Sequence, residues 1–144
     1  MNWDSARMTA PTDPPERLSD AEILGLLRTN AEFVVETLTS EAGFPFAFDS
    51  RSVEWLDGYI NRIRSGSWSE DQIDQLVSNF GSYLGEAILV AHGGAWAQDE
   101  HGWHIRFDER NRAYPFAKVA KQLKNGPEDS IFGFYSAIAV VFRK

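Results

Sequence analysis

The chain has no cysteine. Disulfides, thiolate nucleophiles and cysteine-ligated zinc are therefore excluded by composition alone. It has no run of about 18 apolar residues, and its opening stretch MNWDSARMTAPTDPPERLSD holds no apolar core of the kind a secretion signal needs. No leader or membrane anchor is expected, and the cytoplasm is the default compartment. Positive charge is scarce: 14 Lys and Arg stand against 21 Asp and Glu, a formal charge of −7. Phosphate backbones and anionic membranes call for dense Lys and Arg, so neither nucleic acid nor a membrane is an expected partner. A basic protein surface suits the charge better. Catalytic signatures are missing too. No serine stands in a G-x-S-x-G elbow, the glycines form neither G-x-G-x-x-G nor a P-loop, and no H-E-x-x-H pair is present.

What is there describes a globular chain. With 144 residues, 43% hydrophobic and 13% aromatic, it can bury a sizeable core as one domain. The N-terminal stretch 1–17, with Pro11, Pro14 and Pro15 and only Trp3 and Met8 as sizeable apolar groups, reads as a flexible tail, leaving 18–144 as a single α+β domain.

The domain is organised around Ser69 to Asp108. Ile73, Leu76, Val77, Phe80, Leu84 and Ile88 recur at helical spacing, and Ser69 with Gln72 forms a capping box, which predicts a long central helix. Gly81 and Gly85 lie one turn apart inside it. Each costs about 1 kcal/mol against alanine, so another element should approach closely there. Gly93 and Gly94 stop the helix, and a hairpin spanning about residues 94–107 follows. Its alternation predicts Trp103, Ile105 and Phe107 facing the helix, with His104 and Arg106 facing water or a partner.

Before this spine, Ser19 and Glu22 make a second capping box ahead of a helix with a stripe of Ile23, Leu26, Leu27, Val34 and Leu38, ending at Gly43. A connector, Phe44-Pro45-Phe46-Ala47-Phe48, leads to a helix capped by Asp49 or Ser50, with Val53, Leu56, Tyr59, Ile60 and Ile63 inward and Glu54, Arg62 and Arg64 outward. Trp68 is placed to staple the start of the central helix against Ile73. After the hairpin, Glu109 to Arg112 reads as a charged loop and Pro115 opens a short helix that Asn125-Gly126 ends. Pro127, Glu128 and Asp129 are expected to open the last helix, whose apolar residues Ile131, Phe132, Phe134, Tyr135, Ile138, Val140, Val141 and Phe142 lie on nearly every side. Such a helix is buried or forms the seam of a homodimer.

LDGYINRIR at Leu56–Arg64, FGSYLGEAI at Phe80–Ile88, GGAW at Gly93–Trp96 and PFAKVAKQLKNGPEDSIFGFY at Pro115–Tyr135 together resemble a family of small bacterial domains of uncharacterised function. The resemblance spans roughly residues 45 to 136. It implies a compact helix-rich domain with a short sheet, and it supplies no activity or catalytic residues.

Candidate chemistry is thin. His92, His101 and His104 fall near Asp99 and Glu100, but their spacing does not make the rings converge, so no metal and no cofactor is expected. Glu86, in mid-helix beside Gly85, must be paired, hydrogen-bonded or protonated if buried. Either it forms a structural ion pair with Arg62, Arg106 or Arg112, or it floors a cleft walled by Trp96, Trp103, Tyr114 and Phe116, with His104 nearby, that binds a cationic or polar ligand. Asp57 or Asp129 pairing with Glu86 as a glycosidase-like dyad is a further arrangement that spacing alone cannot show. These observations favour a non-catalytic protein-interaction module, of immunity or regulatory type. The alternative is a small-molecule-binding protein or hydrolase with its cleft at Glu86.

Overall fold

A computed structural model describes residues 18–141. The expected N-terminal tail, with Trp3 and Met8, lies outside the described residues, as does Phe142. Within them the chain is a helix-rich α+β fold of five α-helices and one three-stranded antiparallel sheet.

Local signals set most of the helix ends. α1 (Asp20–Ala42) and α3 (Glu70–His92) both begin at complete capping boxes, Ser19 with Glu22 and Ser69 with Gln72, and α1 ends at Gly43. α2 (Ser50–Ile63) is capped by Asp49, whose carboxylate accepts from Ser52 N at 2.9 Å. Each cap satisfies donors the first turn leaves without a partner, worth about 1 kcal/mol. Trp68 is half-buried, and its indole N–H donates to the Ile63 carbonyl at 2.7 Å, locking the turn from α2 to α3.

α3 is the spine. Leu76, Phe80, Tyr83, Leu84, Ala87 and Ile88 are all fully buried on it. Burying each large apolar side chain contributes about 1.5–3 kcal/mol. α1 lies along it with Leu27, Ala31, Val34 and Leu38 inward. The connector folds back so that Phe46 is buried and both Phe46 and Phe48 reach the Tyr83 ring, while Phe44 and Phe48 are half-buried. The Tyr83 hydroxyl donates to the Ala47 carbonyl. Burial, helped by the Asp49 charge, pushes this phenol far above the usual tyrosine range, so it stays a donor.

At the end of α3 the chain turns through Gly93 and Gly94, at φ of 80° and 94°, a region closed to most side chains. β1 (Ala95–Asp99) and β2 (Gly102–Arg106) then pair with Trp96 opposite Ile105 and Gln98 opposite Trp103. The expected charged loop is shorter than its composition implied. Arg112–Ala113 forms a third strand, β3, against Ile105 and Arg106, following the turn in which Asp108 accepts from Arg110 N and Asn111 N.

α4 (Pro115–Asn125) begins with proline in its first turn, as the sequence predicts. The last helix does not open at Pro127. Pro127–Asp129 is a single 3-10 turn, and α5 (Ile131–Val141) starts behind Ser130, whose hydroxyl accepts from Gly133 N at 2.9 Å. The cause is distant in sequence: Asp57 on α2 accepts from Phe132 N at 2.9 Å, and the Gln122 amide oxygen on α4 accepts from Ile131 N at 2.8 Å. Two other helices thus fix where α5 begins. Its Ile131, Tyr135 and Ile138 are buried, Phe132 and Phe134 half-buried, and Val140 is 80% exposed.

Candidate functional site

Gly81 and Gly85 are where α3 meets its covering elements. A Cβ on Gly81 would fall 2.3 Å from Phe116 Cδ1, and one on Gly85 would fall 2.2 Å from Trp96 Cη2. The predicted close approach is therefore made by two aromatic rings lying directly on the helix backbone. Those rings also meet each other, with centroids 5.8 Å apart. The Trp96 indole N–H then donates to Glu86 Oε2 at 2.9 Å.

This bond corrects the ion-pair expectation for Glu86. Among the described residues its partner is a tryptophan, not Arg62, Arg106 or Arg112. Glu86 is half-buried, so the arrangement satisfies one carboxylate oxygen with a neutral donor and leaves the group partly in water.

The sheet divides the six residues singled out in sequence. Side chains alternate across a strand, so Trp96, Trp103 and Ile105 share one face. With Glu86 and Phe116, Trp96 forms the cluster on α3, while Trp103 lies half-buried beyond it, opposite Gln98. His104 and Tyr114 belong to the other face, where their rings lie 4.9 Å apart. His104 was expected to face water or a partner, yet it is only 2% exposed. The Tyr114 ring covers it, and its Nδ1 lies 3.0 Å from the Gly102 carbonyl.

Asp99 gathers this second cluster. Its carboxylate accepts from His101 N at 2.7 Å, from the Tyr114 hydroxyl at 2.9 Å and from Arg112 Nη1 at 3.4 Å. His104 Nδ1 stands 3.8 Å away, too far for a hydrogen bond but close enough to feel the charge. Partial desolvation by itself would raise the Asp99 carboxyl. The His101 N–H, the Tyr114 hydroxyl and the two histidines together outweigh it and hold the group below the usual carboxylate range. Tyr114 moves the opposite way, raised by donating to Asp99 and by burial. The cluster ties the hairpin tip to β3 and the start of α4.

The other two acids singled out in the sequence, Asp57 and Asp129, join elements of the fold. Asp57 is engaged at the start of α5 and on α4, and among the described residues its hydrogen bonds do not include Glu86. Its Oδ2 accepts from Ser130 Oγ and Phe132 N, and its Oδ1 from the Gln122 amide at 3.3 Å and, at 3.5 Å, from Asn61. Fully buried Gln122 also donates to Asn61 Oδ1 at 3.0 Å, closing a knot that joins α2, α4 and α5. Asp129 accepts from Asn125 at 2.7 Å and pairs with Lys118 at 3.2 Å; these partners hold its carboxyl below the ordinary range. His92 sits against Tyr135, its Nε2 3.1 Å from the Tyr135 carbonyl. Among the described residues no three His, Cys, Asp or Glu side chains converge as a metal site would require.

Fold and sites together define a helix-rich α+β domain whose conspicuous polar groups are engaged in holding its elements together. No known protein family matches the chain, and no characterised protein or solved structure matches it either.

Proposed function

We propose that the chain is a non-catalytic protein-interaction module, of immunity or regulatory type, working in the cytoplasm and presenting its acidic α1 surface to a basic partner surface. The observation that carries this reading is the run of exposed acids along α1, Asp20, Glu22, Glu32, Glu36 and Glu41, with Arg28 the exposed basic residue of that helix. Such a surface speeds encounter with a basic partner and weakens with salt. The residues that would have made a cleft at Glu86 support the same reading, because Trp96 and Phe116 are occupied in covering α3. Affinity capture from the native host, with the natural chain and with a Glu32→Lys, Glu36→Lys, Glu41→Lys variant, tests it. A basic protein retained by the first and lost from the second is expected. Equal retention by both, or turnover of a small molecule that Glu86→Gln abolishes, contradicts it and favours the hydrolase or small-molecule alternative.

A second copy of the chain is the other partner with a specific observation behind it, the 80% exposure of Val140 on otherwise apolar α5. A concentration-dependent dimer in ultracentrifugation that Val140→Asp abolishes supports this reading, and a monomer throughout retires it.

A further inference from the structure

Along the outer side of α2, Arg51, Trp55, Gly58 and Arg62 follow at spacings of four, three and four residues, which sets them on one helical ridge. The Arg62 guanidinium carbon lies 5.4 Å from the Trp55 ring centroid and 5.7 Å from that of Tyr59. Those two rings stack 5.2 Å apart with planes within 17° of parallel. Gly58 leaves room for this, since even a Cβ there would stand 3.6 Å from Arg62 Nη1. At the other end the Arg51 guanidinium carbon is 3.9 Å above the Phe44 ring, and Phe46 bridges Phe44 to Trp55 with centroid distances of 6.1 and 5.8 Å. Flat groups therefore run in continuous contact from Arg51 to Arg62.

A guanidinium laid on a ring gives up rotamer freedom in advance but keeps its N–H edge for a ligand. Two other arginines are used differently. Arg112 pairs with Asp99, and Arg64, expected on the solvent side, is half-buried and donates to the Leu123 and Lys124 carbonyls at 3.2 and 2.6 Å. Arg51 and Arg62 are exposed, and among the described residues neither forms an ion pair, not even with exposed Glu54 on the same helix. Two oriented cations flank a half-buried tryptophan, in a chain whose overall charge has the opposite sign.

We propose that this ridge is a docking surface for an acidic segment of a protein partner, with Arg51 and Arg62 taking carboxylates and Trp55 forming the anchor between them. Arg62 follows Arg51 by eleven positions, about 16 Å along the helix, which an extended segment of about five residues spans. Trp, Tyr and Arg are the residues that dominate interface energetics, especially where a desolvated ring neighbours a positioned charge. Charge chooses the class of partner. A phosphate backbone must be neutralised by many cations at once, whereas two guanidinium groups suffice for a segment with a few carboxylates. The surface is separate from the acidic side of α1 and asks for the opposite partner chemistry, so the two readings stand or fall independently.

The test is an NMR titration of the full chain, following the Trp55 indole and the Arg51 and Arg62 side-chain N–H resonances. The probes are a short glutamate–leucine peptide, the matching lysine–leucine peptide and a short oligothymidylate. The acidic peptide is expected to move these resonances, the basic one to leave them in place, and Arg51→Gln with Arg62→Gln to weaken binding about tenfold while the remaining spectrum is unchanged. Gly58→Ala, which keeps the stack, should bind like the natural chain. Unmoved resonances, equal response to the basic peptide, or undiminished binding by the double variant overturns the proposal. Tighter binding of the oligothymidylate at the same resonances also overturns it and reassigns the ridge to single-stranded nucleic acid.

Discussion

Asp57 and Glu86 are both carboxylates set among buried helical residues, and both invite a chemical role. Their surroundings differ. Asp57 has each oxygen engaged: the backbone N–H that opens α5 and the Ser130 hydroxyl on one, the Gln122 and Asn61 amides on the other. Glu86 has one oxygen on the Trp96 indole and remains half-buried at the edge of the sheet. The first is a saturated knot that fixes where helices begin and leaves nothing for a substrate. The second is a single bond that holds one ring down on a glycine. Position on a helix therefore does not separate a structural acid from an available one; the count of donors around it does.

Substitutions at these two acids and their neighbours should differ in the size of their effect. Gly85→Ala forces a Cβ into the Trp96 ring, and chemical denaturation should show a loss of about 2–3 kcal/mol. Helix propensity alone predicts the opposite sign, a gain of about 1 kcal/mol, so an unchanged or raised midpoint would remove the close-packing account. Asp57→Ala strips the acceptor from the start of α5 and from buried Gln122, and should cost about 2 kcal/mol. Hydrogen exchange should locate that loss at the first turn of α5; uniform weakening of the whole chain would mean that the knot does not anchor α5.

A smaller effect concerns pH. Asp99 has its carboxyl held below its unfolded value of about 3.9, so its contribution is complete above that value and is lost as pH falls through the lower folded one. Acid unfolding followed between about pH 2 and 5 should therefore be shallower in Asp99→Asn than in the natural chain. Identical slopes would mean that the hairpin latch does not couple to folding.

The parts of this architecture legible in the sequence are those decided within a few residues. Ser19 with Glu22 and Ser69 with Gln72 are local caps, and both form as expected. Gly81 and Gly85 announced a close approach because helix interiors rarely tolerate paired glycines, although nothing in the sequence named Trp96 and Phe116 as the visitors. What could not be read depends on long-range partners. Asp57 accepts from Phe132 N across 75 residues and Gln122 from Ile131 N, and these contacts, not the local proline and acids, decide that α5 opens behind Ser130. Alternation placed His104 on the outer face of the hairpin but could not show that Tyr114 would cover it. The ridge on α2 follows the spacing of Arg51, Trp55, Gly58 and Arg62, but spacing alone does not show that Phe44, Phe46 and Tyr59 stack along it.

Glu86 serves the fold by accepting from the Trp96 indole. A double-mutant cycle of Glu86→Ala and Trp96→Phe, read as unfolding free energy, measures that contact directly. A coupling of about 1 kcal/mol, with the double variant less destabilised than the sum of the single ones, is predicted. Additive effects, with no coupling between the two side chains, would contradict it and return Glu86 to the list of groups held in reserve for a ligand.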